Sequence, residues 1–348
     1  MRVALDAMGG DFAPRNAISG AALALREYAH LSRLYLVGDG EALRTELARI
    51  GCSDSRIEIV HSTQVVQMDE GGTASVRRKK DSSISRAVDL VKKGDAQAVV
   101  SAGHTGAAVA ASTIKLRLLP GIERAGIATT IPTESNLFVL IDAGANPDAK
   151  PLHLLQYAIM GSVYSRHVLR YPNPSIGLMS IGTEDNKGSE ATKEVFKLLK
   201  ASGLNFRGNV EGHDLFENPV EVVLCEGFVG NVVLKTCESL AHAVFQWLKH
   251  ELRKTPMRMA GAALARGAFK AIGKKINPDE YGGSLLLGVD GICIIAHGSS
   301  SPFAFKNAIR VALESIEQQV NPQIVREIGQ FHAKFTEQHP QQPQPVAG

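Results

Sequence analysis

The feature that most limits what this chain can fold into is an alternation. Short runs of β-branched and aliphatic residues give way again and again to helical spacing, with glycine at the junctions. Residues 3–5 lead into a helix expected to start near Pro14, with Ile18, Ala21, Ala22 and Leu25 at the i, i+3, i+4, i+7 positions of one face. Ile84, Ala87, Val88 and Val91 repeat that spacing, and Gly94 stands where a C-terminal cap belongs. Further strands are expected at residues 34–37, 57–60, 98–101, 138–141, 176–179, 222–225 and 292–296. Most of these runs are apolar without alternation, as strands covered on both faces are. The pattern reads as an α/β fold, a mainly parallel sheet with helices on both faces and ligands at the C-terminal strand ends.

Five junctions are glycine turns at such ends. Gly9 and Gly10 lie between Asp6 and Asp11; Gly103 and Gly106 flank His104 and Thr105. Gly144 lies between Asp142 and Asn146, Gly182 and Gly188 enclose Thr183 and Lys187, and Gly230 precedes Asn231. Glycine lets backbone approach a ligand, and a following helix points unpaired N–H groups and the positive end of its dipole at it, so phosphate is the first ligand to expect. Taken singly, each turn has an ordinary reading: Asp11 or Asn231 as a helix cap, His104 as a hydrogen-bonded loop residue, Lys187 and Lys193 as solvated cations. Taken together, they are expected to gather around one anion pocket. There Asp6 and Asp142, as carboxylates ending strands, need a partner or a task.

Composition sets the outer limits. At 348 residues and 44% apolar content, the chain can bury one large core or two moderate ones. Cys52, Cys225, Cys237 and Cys293 are widely spaced with no C-x-x-C pair, so neither a metal site nor a disulfide framework is expected. The N-terminus reads directly as a strand rather than a signal peptide, and no apolar run is long enough to span a bilayer, so a cytoplasmic location is expected. Residues 1–336 read as one catalytic α/β unit, with a division into two lobes near 150–170, where a long helical segment lies. Residues 337–348, rich in Gln and Pro, read as a disordered tail.

A net charge of +3 gives no argument for nucleic acid, but two basic clusters stand out. One is Arg77, Arg78, Lys79 and Lys80. The other lies in segment 247–276, where eight Lys/Arg face one acid, Glu251. Read as one helix over 257–276, this segment places Leu264, Phe269 and Ile272 on an apolar face and Arg266, Lys270 and Lys274 on a basic stripe. That is the layout of a protruding amphipathic segment lying on an anionic membrane surface.

These turns, in this order, resemble those of the bacterial acyl carrier protein:phosphate acyltransferases of phospholipid synthesis, the PlsX-type family. The resemblance runs from Arg2 to about Val320. It is carried by residues 5–11, 68–70, 79–83, 101–106, 142–146, 208–212, 227–235, 281–283 and 297–300. His104 stands where the family typically has Asn, and Glu226 where it typically has Asp.

The resemblance implies an isopropylmalate dehydrogenase/phosphotransacetylase-like fold and a homodimer, cytoplasmic and peripherally membrane-associated. It implies transfer of a long fatty acyl group from acyl carrier protein to inorganic phosphate, with no cofactor or metal. A downstream glycerol-3-phosphate acyltransferase is the implied consumer of the acyl phosphate.

With phosphate as nucleophile, Lys187 and Asn231 are the expected oxyanion stabilisers and Asp6 and Asp142 the expected orienting carboxylates. Gly9, Gly10, Asp11, Gly103, His104, Thr105, Gly106, Asn146, Gly182, Thr183, Lys193 and Gly230 are expected to line the phosphate and substrate pocket. Arg77–Lys80 would dock the acidic carrier. A phosphotransacetylase-like enzyme acting on coenzyme A thioesters, or a non-catalytic membrane scaffold binding the carrier protein, are the alternatives. A dehydrogenase is disfavoured, because no G-x-G-x-x-G fingerprint opens a βαβ unit.

Overall fold

A computed structural model describes residues 1–217 and 220–338. The chain opens with β1 (Arg2–Asp6), α1 (Arg15–Glu27), β2 (Arg33–Gly38), α2 (Gly40–Arg49) and β3 (Ile57–His61). It continues through α3 (Gly72–Arg78), α4 (Ser83–Lys92), β4 (Ala98–Ser101) and α5 (Thr105–Lys115). A hairpin follows, β5 (Gly126–Pro132) and β6 (Leu137–Ile141), and then α6 (Pro151–His167). The next stretch is β7 (Ile176–Met179), α7 (Glu190–Ala201), β8 (Phe206–Val210), α8 (Asp214–Glu217) and β9 (Val222–Leu224). Three helices come in succession, α9 (Gly227–Leu252), α10 (Pro256–Leu264) and α11 (Arg266–Ile276). The chain closes with β10 (Ser284–Leu287), β11 (Ile292–Ile295), α12 (Pro302–Glu317) and α13 (Val320–Gln338).

One sheet of order β3-β2-β1-β4-β11-β10-β5-β6-β9-β7-β8 unites these strands. The expected strands are all present. Gly94 ends α4 with a φ of +80°, a conformation that costs glycine nothing. Helices cover both faces. Ile18 and Leu25 of α1, Tyr157 of α6 and Phe305 of α12 pack on one side. Ile84 and Val88 of α4 and Ala107 and Ala111 of α5 pack on the other.

The direction of the strands decides where the turns go. β3, β2, β1, β4 and β11 run parallel, but β10 is antiparallel to both β11 and β5, and β5 to β6. After this reversal β6, β9, β7 and β8 are parallel again, pointing opposite to the first block. The C-terminal ends of the two blocks therefore leave opposite margins of the sheet. Asp6 and Asp142, on β1 and just after β6, are five strand spacings apart, roughly 24 Å across the sheet at about 4.8 Å each.

The segment expected to divide two lobes is α6, which is buried along most of its length from His153 to Ser165 and packs beneath β6 and β9. Segment 257–276 is two helices meeting at Ala265, not one, so Leu264 lies on α10 while Phe269 and Ile272 lie on α11. Arg266, Lys270 and Lys274 keep their stripe within α11, all three exposed. Helix α13 extends through Gln338, covering the first two residues of the expected tail; residues 339–348 lie outside the described residues.

Candidate active site

Three of the five glycine turns leave one margin, from the adjacent strands β6, β9 and β7. At its base Asp142 is fully buried. Its carboxylate accepts backbone N–H bonds from Ile127 (3.0 Å), Gly144 (3.0 Å), Ala145 (2.9 Å) and Asn146 (2.7 Å). Burial raises its pKa and these four donors pull it back. Its chemistry is to fold the turn, and it reaches any ligand only through that backbone. Asn146 is fixed in turn: its Nδ2 donates to the Tyr157 hydroxyl (2.8 Å), and its carbonyl accepts the Gly227 N–H (2.8 Å).

Helix α9 starts directly on this turn. A Cβ at Gly230 would sit 1.9 Å from the Asp142 carbonyl oxygen, so glycine is required for the close approach. Neither Asn231 nor Asp11 caps a helix. Glu226 caps α9, accepting from Phe228 and Val229 N–H, and α1 has no side-chain cap. Asn231 lies exposed one turn in, its amide facing Gly144.

From β7, the turn holding Gly182, Thr183 and Lys187 follows the same margin. The Lys187 N–H donates to the Glu184 carbonyl (3.1 Å), and its side-chain stem lies against Gly182. Its side chain is 47% exposed and its ammonium sits a long 3.9 Å from the Glu184 carboxylate, so it stays available to an incoming anion. Lys193 is engaged by Glu190 at 2.8 Å.

The other margin carries the remaining two turns, joined by residues 297–300 after β11. Asp6, also buried, accepts the Ser101 hydroxyl (2.7 Å) and the Met8 N–H (3.3 Å). Burial raises its pKa against the opposing hydrogen bonds of Ser83, Ser101, Met8 and Gly9. Val65, Val66, Ser83, Gly9, Gly103 and His104 close over it around a cavity of about 10 Å³, the size of one water, with no lysine or arginine in its wall. His104 caps α5, its Nδ1 accepting the Ala107 N–H (3.2 Å), while Thr105 and Gly106 lie exposed on the first turn. The Asp11 N–H donates to the Gly298 carbonyl (2.8 Å), and Gly10 packs on the same oxygen.

The single pocket expected from the sequence is thus replaced by two separate groups. The cause is the strand reversal through β10 and the β5–β6 hairpin. The expectation that helix N-termini donate freely also needs correcting. The helices at these turns are capped by their own side chains: Glu226 on α9, His104 on α5 and Ser189 on α7. What remains for an anion at the first margin is Lys187, Asn231 and turn backbone.

Of the basic cluster, Lys79 is tied internally to Glu70 (2.7 Å) and the Val65 carbonyl (2.8 Å), which pins the loop over the Asp6 margin. Arg77, Arg78 and Lys80 keep their charges outward, Arg78 beside Glu70 at 3.5 Å. The sequence reading passed over Tyr157, which no periodicity separates from its apolar neighbours on α6. Ser83, the last residue of the 79–83 motif, has no signal in the sequence that would mark it as a partner of Asp6.

The sheet order and the crossovers define a mostly parallel α/β fold with glycine turns at the strand ends. The chain is similar in fold to a phosphotransacetylase from Streptococcus pyogenes, with a TM-score of 0.60 at 19% identity, covering 91% of this chain and 94% of that one. Residues 1–323 match the fatty acid synthesis protein family. A phosphate acyltransferase of Akkermansia muciniphila is 53% identical over 337 residues, covering 95% of this chain and 97% of that protein. One from Geobacter sulfurreducens is 45% identical, with each chain covered in full. The chain belongs to the fatty acid synthesis protein family, whose curated relatives are phosphate acyltransferases.

Proposed function

We propose that this enzyme transfers a long-chain fatty acyl group from acyl carrier protein to inorganic phosphate, and that it does so at the Lys187 margin. The observation that carries the reading is that Lys187, in the turn after β7, and Asn231, on the first turn of α9 after the neighbouring β9, follow one margin of the sheet, with the Asn231 amide against the Gly144 turn that Asp142 pins. A phosphate oxygen attacks the thioester carbonyl, and the oxyanion that forms takes hydrogen bonds from the Lys187 ammonium and the Asn231 amide. Collapse breaks the C–S bond. A thiolate of unperturbed pKa about 8.5 leaves readily, so no strong general acid is needed. Asp142 and Gly230 act by position, setting the distance between the α9 start and the turn. The cavity over Asp6 has no lysine or arginine in its wall and little space, so in this reading phosphate is not taken there.

Three surfaces fit the same activity. Carrier proteins are acidic, and Arg77, Arg78 and Lys80 offer an exposed basic patch whose steering added salt should screen. Helices α10 and α11 bury no residue and expose Met257, Leu264 and Ile272 beside the α11 stripe, which suits a membrane surface where an acyl phosphate is released to a glycerol-3-phosphate acyltransferase. Helix α9 exposes Val232, Leu240, Val244 and Trp247, which supports a homodimer. No helix among the described residues is long and apolar enough to cross a membrane.

The decisive assay follows release of free carrier protein from its acylated form. Release that requires inorganic phosphate and yields acyl phosphate is the expected result. Binding of the carrier without turnover would leave a scaffold, and turnover of coenzyme A thioesters alone would move the donor. For the membrane surface, neutralising Arg266, Lys270 and Lys274 together should abolish binding to anionic vesicles; unchanged binding removes α11 from that role.

A further inference from the structure

Beneath the Lys187 turn two polar atoms are buried without a partner. Asn209, on β8 opposite Leu178 of β7, is only 7% exposed, and its Nδ2 donates to the Glu184 carbonyl at 2.8 Å. That carbonyl also receives the Lys187 N–H, so one oxygen ties Asn209 to the base of the lysine turn. The other side of the amide, Oδ1, is buried and unpaired. Ser180 directly follows β7; its N–H is held by the Val210 carbonyl (2.9 Å), and its hydroxyl is likewise buried and unpaired, under Gly188. A buried polar atom left unpaired costs more than a made hydrogen bond returns, and these two, on paired strands under one turn, leave an amide oxygen and a hydroxyl with hydrogen-bonding capacity to spare there.

We infer that Asn209 and Ser180 form the floor of the anion site and determine which tetrahedral anion it accepts. This rests on the reading of the Lys187 margin as the phosphate site. The Nδ2 bond to Glu184 makes Asn209 a positioning residue for Lys187. Its Oδ1 can only accept, so it pairs with an anion that carries a proton. Inorganic phosphate at neutral pH keeps at least one O–H; sulfate has none and would face Oδ1 with a lone pair. The Ser180 hydroxyl, able to donate, serves either anion. The floor therefore selects a protonated oxyanion of phosphate type over a fully ionised one of equal size.

The test uses the full chain with inorganic phosphate and inorganic sulfate as probes, in initial-rate kinetics and in direct calorimetric binding. Asn209→Leu should raise the KM for phosphate by about 10- to 100-fold, the loss expected for a hydrogen bond to a charged group. It should narrow the preference for phosphate over sulfate, with the KM for the acyl carrier substrate within about twofold. Ser180→Ala should weaken both anions alike and leave their ratio unchanged. Asn209→Asp keeps an acceptor but loses the bond to Glu184 and adds a negative charge beneath the anion, so it should lower kcat and weaken both anions, sulfate more than phosphate. If Asn209→Leu does not fold, the contrast between the Asp and Ser180 variants carries the test. Unchanged phosphate KM and unchanged anion ratio in folded variants of an active enzyme would overturn the inference alone. No phosphate-dependent turnover by the unaltered chain would instead remove the reading beneath it.

Discussion

The two margins of the sheet are built from the same parts and differ in what they leave open. Each has an aspartate ending a parallel strand, a glycine turn and a helix capped by its own side chain. At the Asp142 margin four backbone N–H groups saturate the carboxylate, while Lys187 and Asn231 stay at the surface. At the Asp6 margin hydroxyls hold the carboxylate, and the 65–83 loop, stapled by Lys79 and Glu70, closes over it. Glycine turns at strand ends are therefore scaffolding common to both. An anion site needs in addition an unengaged cation and space; at the first margin Lys187 is such a cation, whereas the small cavity over Asp6 has no lysine or arginine in its wall and the nearby Arg77, Arg78 and Lys80 face outward.

The largest test of that contrast is Lys187→Ala. Loss of a transition-state donor should lower kcat by about 100- to 1,000-fold. The melting temperature should move little, because the side chain is half exposed and its contact with Glu184 is long. At the other margin His104→Ala should do the reverse, costing about 1 kcal/mol of stability for the lost helix cap and less than about tenfold in rate. Kinetics and thermal melts of the two variants side by side would break the comparison if the pattern inverted. Next comes Gly230→Ala. Its methyl would overlap the Asp142 carbonyl oxygen, so backbone must shift and the turn open, at a cost of about 3 kcal/mol or more in urea unfolding.

Much of this was legible in the sequence because it is local. Helical spacing and apolar strand runs placed α1, α4 and eight of the eleven strands correctly, and the residues that make each turn were named from glycine and strand ends alone. What the sequence concealed was direction. β5 and β10, the strands that reverse the sheet, were not among the expected runs: Thr129 and Thr130 interrupt one, and the other is a short Leu run after two glycines. Without them, every strand end pointed the same way and all five turns seemed to meet. The Ala265 break in the amphipathic segment was hidden for a different reason, since alanine is a good helix former and carries no stop signal. Asn209 was visible only as part of a motif, because its partner, the Glu184 carbonyl, is backbone.

The two aspartates give a finer separation through pH. Both carboxyls are raised by burial, so between the unfolded value near 3.8 and the raised folded value the native state holds more protons than the unfolded chain. The contribution of these two groups to stability should then fall as pH rises through that window and level off above it. Asp142→Asn puts an NH2 group among four N–H donors and leaves some of them unpaired, so it should destabilise by about 1–3 kcal/mol even at neutral pH. Asp6→Asn keeps its carbonyl for the Met8 and Gly9 N–H groups and turns its amide to the Ser83 and Ser101 hydroxyls, which can accept, so the packing survives and the charge is gone. Its expected effect is the smallest: a flatter stability profile above about pH 4, with no loss at pH 7. Urea midpoints measured for both variants from acid to neutral pH would decide the matter. A steep loss at neutral pH for Asp6→Asn would mean that both its oxygens, like those of Asp142, need donors that an amide cannot keep, and the two margins would no longer differ in how they carry their charge.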